Sequence, residues 1–223
     1  MGISRSQLAK MIDSTLLKPT ATKDDIAKLC RDAKRHGFGC VCVNSMYVSL
    51  ATQLLKGTDV KVCSTIGFPF GATLPEVKAF EARRAVENGA REVDMVINLG
   101  ALKSGDHEAV KRDIEMVVDL KSLYRDLIVK VIIETGYLTS EEKVTACRLV
   151  KEAGADFVKT STGLVGGATI EDVQLMRQTV GSDVGVKAAG DIRTLKDALA
   201  MIEAGANRIG TSTAAAIIEE FPE

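Results

Sequence analysis

The chain has 223 residues, enough for one large domain, 1–223, built on a continuous core. Apolar residues make up 46% and the net charge is −1, from 29 Lys and Arg against 30 Asp and Glu, which excludes a disordered chain. With no basic block a nucleic-acid partner is not expected, and with no apolar run of spanning length neither is a membrane.

The first 17 residues lack the apolar stretch and small-residue cleavage site of a signal peptide and read as a short amphipathic helix leading into a weak strand at 11–15. Beyond it, β-rich apolar runs alternate with segments of helical period. Strands are expected at 39–43, 60–66, 92–97, 128–134, 156–160, 184–188 and 207–210, and helices at 75–87, 141–152, 170–178 and 195–203 among others. Thr22, Thr73, Thr139, Thr169 and Thr194 each stand three residues before an acid and read as helix N-caps. Gly89, Gly154 and Gly205 each follow a helix and read as left-handed terminators that turn the chain into the next strand. Eight apolar strands, each followed by a helix, predict an α/β fold: a (β/α)8 TIM barrel with a short N-terminal helix. An open doubly wound sheet is the alternative, but no GxGxxG fingerprint follows a first strand.

The five cysteines, Cys30, Cys40, Cys42, Cys63 and Cys147, contain no CxxC pair, and three lie in apolar β-type runs. They read as free thiols packed as small hydrophobes, which suits a reducing cytoplasm. The two histidines, His36 and His107, fall in expected surface segments and are too few for a transition-metal site, so no metal or other cofactor is expected; carboxylates alone leave Mg²⁺ open.

Charges inside apolar strands carry the most information: Asp94, Lys130, Glu134, Lys159 and Lys187, with Lys61 set aside near a strand's beginning. Structural ion pairs would account for one such lysine. Lys159 and Lys187, on consecutive strands at similar height, could bring two amines to one mouth of the barrel, where mutual repulsion and desolvation favour a neutral, nucleophilic amine. The loops beyond them, Thr160-Ser161-Thr162-Gly163, Ala189-Gly190 and Gly210-Thr211-Ser212-Thr213, are rich in hydroxyl and N–H donors suited to a phosphate, though the last could be an ordinary N-cap.

The strings Glu92-Val93-Asp94, Lys130-Val131-Ile132-Ile133-Glu134-Thr135, Gly154-Ala155-Asp156-Phe157-Val158-Lys159-Thr160-Ser161-Thr162-Gly163 and Val186-Lys187-Ala188-Ala189-Gly190 together resemble the deoxyribose-phosphate aldolase family, over about residues 10–215. The resemblance implies a metal-independent class I aldolase. Such an enzyme reversibly cleaves 2-deoxy-D-ribose 5-phosphate to D-glyceraldehyde 3-phosphate and acetaldehyde, a step of deoxyribose phosphate catabolism. It implies Lys159 as the Schiff-base nucleophile, Asp94 as the proton relay and Lys187 as the second lysine that keeps the first deprotonated. Asp13, Thr15, Cys42, Lys130, Thr162, Gly163, Gly190, Gly210, Ser212 and Thr213 become the candidate substrate-binding residues. It also implies a homodimer or higher homo-oligomer. Leu164 stands where some members carry a lysine, and Asp191 where a second glycine is common. Both bear on how the phosphate is held, with Arg193 or a capping role for Asp191 as the expected compensation. Another class I aldolase or a transaldolase could use the same lysine.

Overall fold

In the computed structural model, which describes residues 2–222, eight parallel strands close into a barrel in chain order. They are β1 (Ile12–Leu16), β2 (Cys40–Val43), β3 (Lys61–Ile66), β4 (Glu92–Val96), β5 (Ile128–Ile132), β6 (Phe157–Lys159), β7 (Gly185–Ala189) and β8 (Arg208–Thr211). β8 closes on β1 through Ile12 opposite Ile209 and Asp13 opposite Gly210. Helix α1 (Arg5–Met11) precedes β1. The strands are followed by α2 (Lys23–His36), α3 (Val48–Leu54), α4 (Pro75–Glu87), α5 (Leu99–Lys103), α6 (His107–Val118), α7 (Ser140–Glu152), α8 (Ile170–Val180), α9 (Leu195–Glu203) and α10 (Ala214–Glu219). This is the expected (β/α)8 barrel with its short N-terminal helix, and the closed ring removes the open sheet. No helix among the described residues is long and apolar enough to cross a membrane.

Local chemistry sets the joints. Thr22, Thr139 and Thr194 form full capping boxes with Asp25, Glu142 and Asp197, and Thr169 caps the backbone N–H of Asp172. Thr73 does not cap: α4 starts one residue later than that spacing requires, after Leu74, and Pro75 presets the first turn without a side-chain bond. At the other ends Gly89, Gly154 and Gly205 take φ of +111°, +77° and +114°, and the next residue bonds back five positions, as in Ala90 N–H to Ala85 O at 3.0 Å.

Alternation along the strands divides the core in two. Val41, Val93, Val131, Val158 and Val186 pack outward into one continuous apolar cluster, while inside the barrel Cys40, Cys42 and Cys63 form a small separate one. The rest of the interior at that level is charged, and that filling positions the site. His36, expected at the surface, instead keeps its side chain 7% exposed and stacks on Phe38.

Candidate active site

The inward positions of four strands place Asp13, Glu92, Asp94, Lys130 and Lys187 inside the barrel, with Arg208 from β8 reaching in beside them. Register puts Lys159 directly opposite Lys187 and Asp94 directly opposite Lys130. Asp94 is the hub. Its Oδ2 accepts Lys159 Nζ and Lys187 Nζ, each at 2.7 Å, and its Oδ1 accepts Lys130 Nζ at 3.0 Å and the Cys63 thiol at 3.1 Å. Cys42 Sγ lies 4.0 Å from the same carboxylate. Asp13 is shared by Lys187 and Arg208, and Glu92 by Lys130 and Arg208.

The two lysines are therefore not simply crowded together, because Asp94 stands between their amines. Burial alone would lower the Lys187 pKa, but the Asp13 and Asp94 carboxylates outweigh it and hold Lys187 above the ordinary lysine range. Lys130 behaves alike: burial opposes its charge, and Asp94, Glu92 and Asp13 restore it. For Asp94 burial acts upward, yet three facing lysines bring it well below the usual carboxylate range, and Asp13 is lowered likewise by Lys187, Lys130 and Arg208 against its burial. Three cations, Lys130, Lys187 and Arg208, balance three carboxylates, Asp13, Glu92 and Asp94. Lys159 is the fourth basic group and shares its one carboxylate, Asp94, with Lys130 and Lys187.

Lys159 is also where this layer meets solvent. A cavity of about 350 Å³ is lined by Thr15, Lys18, Lys159, Thr162, Gly163, Leu164, Gly190, Asp191, Arg193, Gly210 and Ser212 among others. Lys159 ends β6 and is 3% exposed, whereas Lys187 and Asp94 are fully covered beneath it. The loop after Lys159 is held by Glu134, which leaves β5 at φ +53° and accepts both the N–H and the hydroxyl of Thr162. Gly190, at φ +92°, lets the neighbouring loop come close: a Cβ there would stand 2.8 Å from Gly167 Cα.

Among the expected site residues, Thr15, Lys159, Thr162, Gly163, Gly190, Gly210 and Ser212 line one cavity, with Asp13, Cys42, Asp94, Lys130 and Lys187 in the layer around and below Lys159. Thr213 lies off that cavity, with its hydroxyl near Thr211 and the Arg193 carbonyl; it precedes α10 without a capping bond. Asp191 caps no helix, since Thr194 fills that role; it takes φ +57° and pairs with Arg193 at 3.0 Å. Lys130 pairs with Glu92 and Asp94 rather than with Glu134. Sequence reasoning passed over Arg208 and Glu92. The signal was a two-residue step: Glu92 and Arg208 precede the inward positions Asp94 and Gly210 by two.

Among the described residues two groups of donor atoms are close enough to hold a metal, Cys42 with Cys63 and Asp94, and Asp13 with Cys40 and Glu92. All three carboxylates are already engaged by lysine or arginine, so an entering cation would have to displace buried ammonium or guanidinium groups.

Residues 8–219 match the model of the DeoC/LacD family aldolases. The chain is 63% identical over 215 residues to a protein named deoxyribose-phosphate aldolase from Thermoanaerobacter sp. (strain X514), covering 96% of each. It is 61% identical over 224 residues to one of the same name from Thermococcus kodakarensis, covering 99% of this chain and 100% of that one. A solved structure described as a unique tetrameric deoxyribose phosphate aldolase from Aeropyrum pernix superposes with a TM-score of 0.91 at 39% identity, covering 98% of this chain and 92% of that one.

Proposed function

The chain belongs to the DeoC/LacD family of aldolases, and on that premise we propose that it acts as a deoxyribose-phosphate aldolase with Lys159 as the Schiff-base nucleophile. The observation that carries the assignment is the position of Lys159: an amine that shares its one carboxylate with two other lysines, at the floor of a cavity whose rim is built from glycine and hydroxyl residues. With three cations and three carboxylates balanced around it, losing the Lys159 proton leaves the buried layer neutral, and the amine keeps a hydrogen bond to Asp94 while its lone pair is available.

The chemistry follows from that state. The amine adds to the C1 aldehyde of open-chain 2-deoxy-D-ribose 5-phosphate, and the carbinolamine loses its hydroxyl as water, leaving an iminium. The C2–C3 bond then breaks, its electron pair flowing into the iminium as the C3 hydroxyl gives up its proton, and D-glyceraldehyde 3-phosphate departs. The resulting enamine takes a proton at C2, and water releases acetaldehyde and the free amine. Asp94 relays protons through water at the amine. Lys187, held charged by Asp13 and Asp94, keeps a fixed positive charge beside the Lys159 amine. Glu134 fixes the Thr162–Gly163 turn that faces the substrate.

Borohydride reduction in the presence of acetaldehyde, followed by peptide mapping, tests the assignment. The expected result is one ethylated residue, Lys159, together with cleavage of 2-deoxy-D-ribose 5-phosphate. An ethyl group on Lys187, or none anywhere, overturns it.

Two broader readings accompany this one. The exposed Phe70, Leu74, Val77 and Phe80, along the entry and face of α4, suit a homo-oligomer, which a concentration series by light scattering tests. Five free, buried cysteines fit a cytoplasmic location.

A further inference from the structure

The cavity that reaches Lys159 has four charged residues in its wall: Lys18, Lys159, Asp191 and Arg193. Lys159 is hydrogen-bonded to Asp94 at the floor, and Arg193 is paired with Asp191 at the mouth. Lys18 alone of the three cations has no carboxylate oxygen within 4 Å among the described residues. The carboxyl of Asp25 feels Lys18 only weakly, being lowered first by its bonds to Thr22 and only last by Lys18. On the facing loop, position 164 is an exposed leucine that lines the cavity and offers it no charge.

The backbone under Lys18 is fixed. Lys18 opens a β-turn whose second residue is Pro19, with the Lys18 carbonyl accepting the Ala21 N–H at 3.0 Å, and a following proline confines Lys18 itself to extended backbone. The same loop is tied to the segment after β2 by Tyr47, whose hydroxyl donates to the Ala21 carbonyl, and by Asn44, whose amide donates to the Leu17 carbonyl at 3.4 Å. The stem thus starts from an anchored point on the cavity wall, while the ammonium is left free to turn.

We propose that Lys18 is the specificity-determining cation of this site: its ammonium meets the substrate's phosphate dianion from the β1 side and makes the cavity select phosphorylated over unphosphorylated sugars. The inference rests on the aldolase reading above and names the group that recognises the charged end of the substrate. Glycine and hydroxyl donors at Gly163, Gly190, Gly210 and Ser212 can direct a phosphate by hydrogen bonds, but they carry no formal charge, and the Asp191 carboxylate offsets Arg193. A free ammonium supplies the missing charge.

The test measures kcat/KM for cleavage of 2-deoxy-D-ribose 5-phosphate and of unphosphorylated 2-deoxy-D-ribose in the wild type, Lys18→Met and Lys18→Arg. The expected result is a selectivity ratio that falls about tenfold in Lys18→Met, through KM for the phosphorylated sugar, and recovers most of the way in Lys18→Arg. Inorganic phosphate should inhibit Lys18→Met correspondingly less. An unchanged ratio, or an equal loss on both sugars, overturns the role of Lys18 while leaving the aldolase reading intact. A wild type that cleaves neither sugar overturns the reading itself.

Discussion

A buried charge stabilises or destabilises according to what remains when its partner is removed, and the barrel interior offers a direct comparison. Arg208 is shared by Asp13 and Glu92, so Arg208→Met leaves two buried carboxylates with one cation fewer. Breaking such a group costs about 3–5 kcal/mol. Lys159 is the surplus cation, and Lys159→Leu leaves three charges of each sign. We expect Lys159→Leu to lose turnover yet unfold in urea within about 1 kcal/mol of the wild type, and Arg208→Met to be weaker by the larger amount. Equal destabilisation by the two substitutions would contradict the balance described above. The same comparison explains what could be read in advance. Lys159, Lys187 and Asp94 stand out because a buried parallel strand has no ordinary use for them. Glu92 and Arg208 begin their strands, where a charge ordinarily meets solvent, as the exposed Lys61 at the start of β3 does. The two-residue step to Asp94 and Gly210 points Glu92 and Arg208 inward, but closure of the barrel is what buries them, and Lys18 gives no sequence signal at all because its loop acquires meaning from the cavity beside it.

At the scale of elements, helix starts separate side-chain capping from backbone preset. Thr194 accepts the Asp197 N–H at 3.1 Å while Asp197 returns a bond to the Thr194 N–H at 3.0 Å. Thr194→Ala should therefore lower stability by about 1 kcal/mol. Thr73 has the same spacing to Glu76 but no such bond, since Pro75 opens α4, and Thr73→Ala should stay within about 0.5 kcal/mol. Thermal melts of the two variants check this, and a loss at Thr73 matching that at Thr194 would count against the assigned start of α4. The eight strands were legible because apolar runs between helical segments have few other readings. Their ends were not, because they depend on single backbone conformations. β5 stops at Ile132 as the chain turns toward Glu134 at φ +53°, and nothing in Ile132-Ile133-Glu134 announces that turn. The turn is what aims Glu134 at Thr162. Burial holds this carboxyl above its ordinary pKa even though Thr162 acts downward. A raised folded pKa contributes stability that is complete below the unfolded value and is lost as pH rises through the folded one. Compared with the wild type, Glu134→Gln should thus gain relative stability as pH rises from 4 to 7, a trend that paired denaturation curves would reveal or exclude.

For the molecule as a whole, the charged filling makes the barrel's stability a function of acid. Asp13 and Asp94 both ionise below the usual carboxylate range, burial opposing and the surrounding lysines and Arg208 prevailing. A depressed folded pKa contributes stability that is present above the unfolded value, 3.8 for these groups, and is lost as pH falls toward the folded value. The buried set therefore favours folding at neutral pH, and that contribution drains away below about pH 4, when the unfolded chain binds protons that the folded barrel refuses. Each such carboxylate adds a slope of about 1.4 kcal/mol per pH unit. Surface pairs such as Lys28–Asp32 and Arg83–Glu87 add little, since solvent screens them. Asp94→Asn takes one of the two strongly depressed groups out of the titration. Its unfolding free energy, followed from pH 5 to pH 3, should fall less steeply than that of the wild type by about one proton's worth. Parallel slopes would mean that Asp94 is not held ionised by the lysines that face it, and the charge balance of the buried layer would lose its central member.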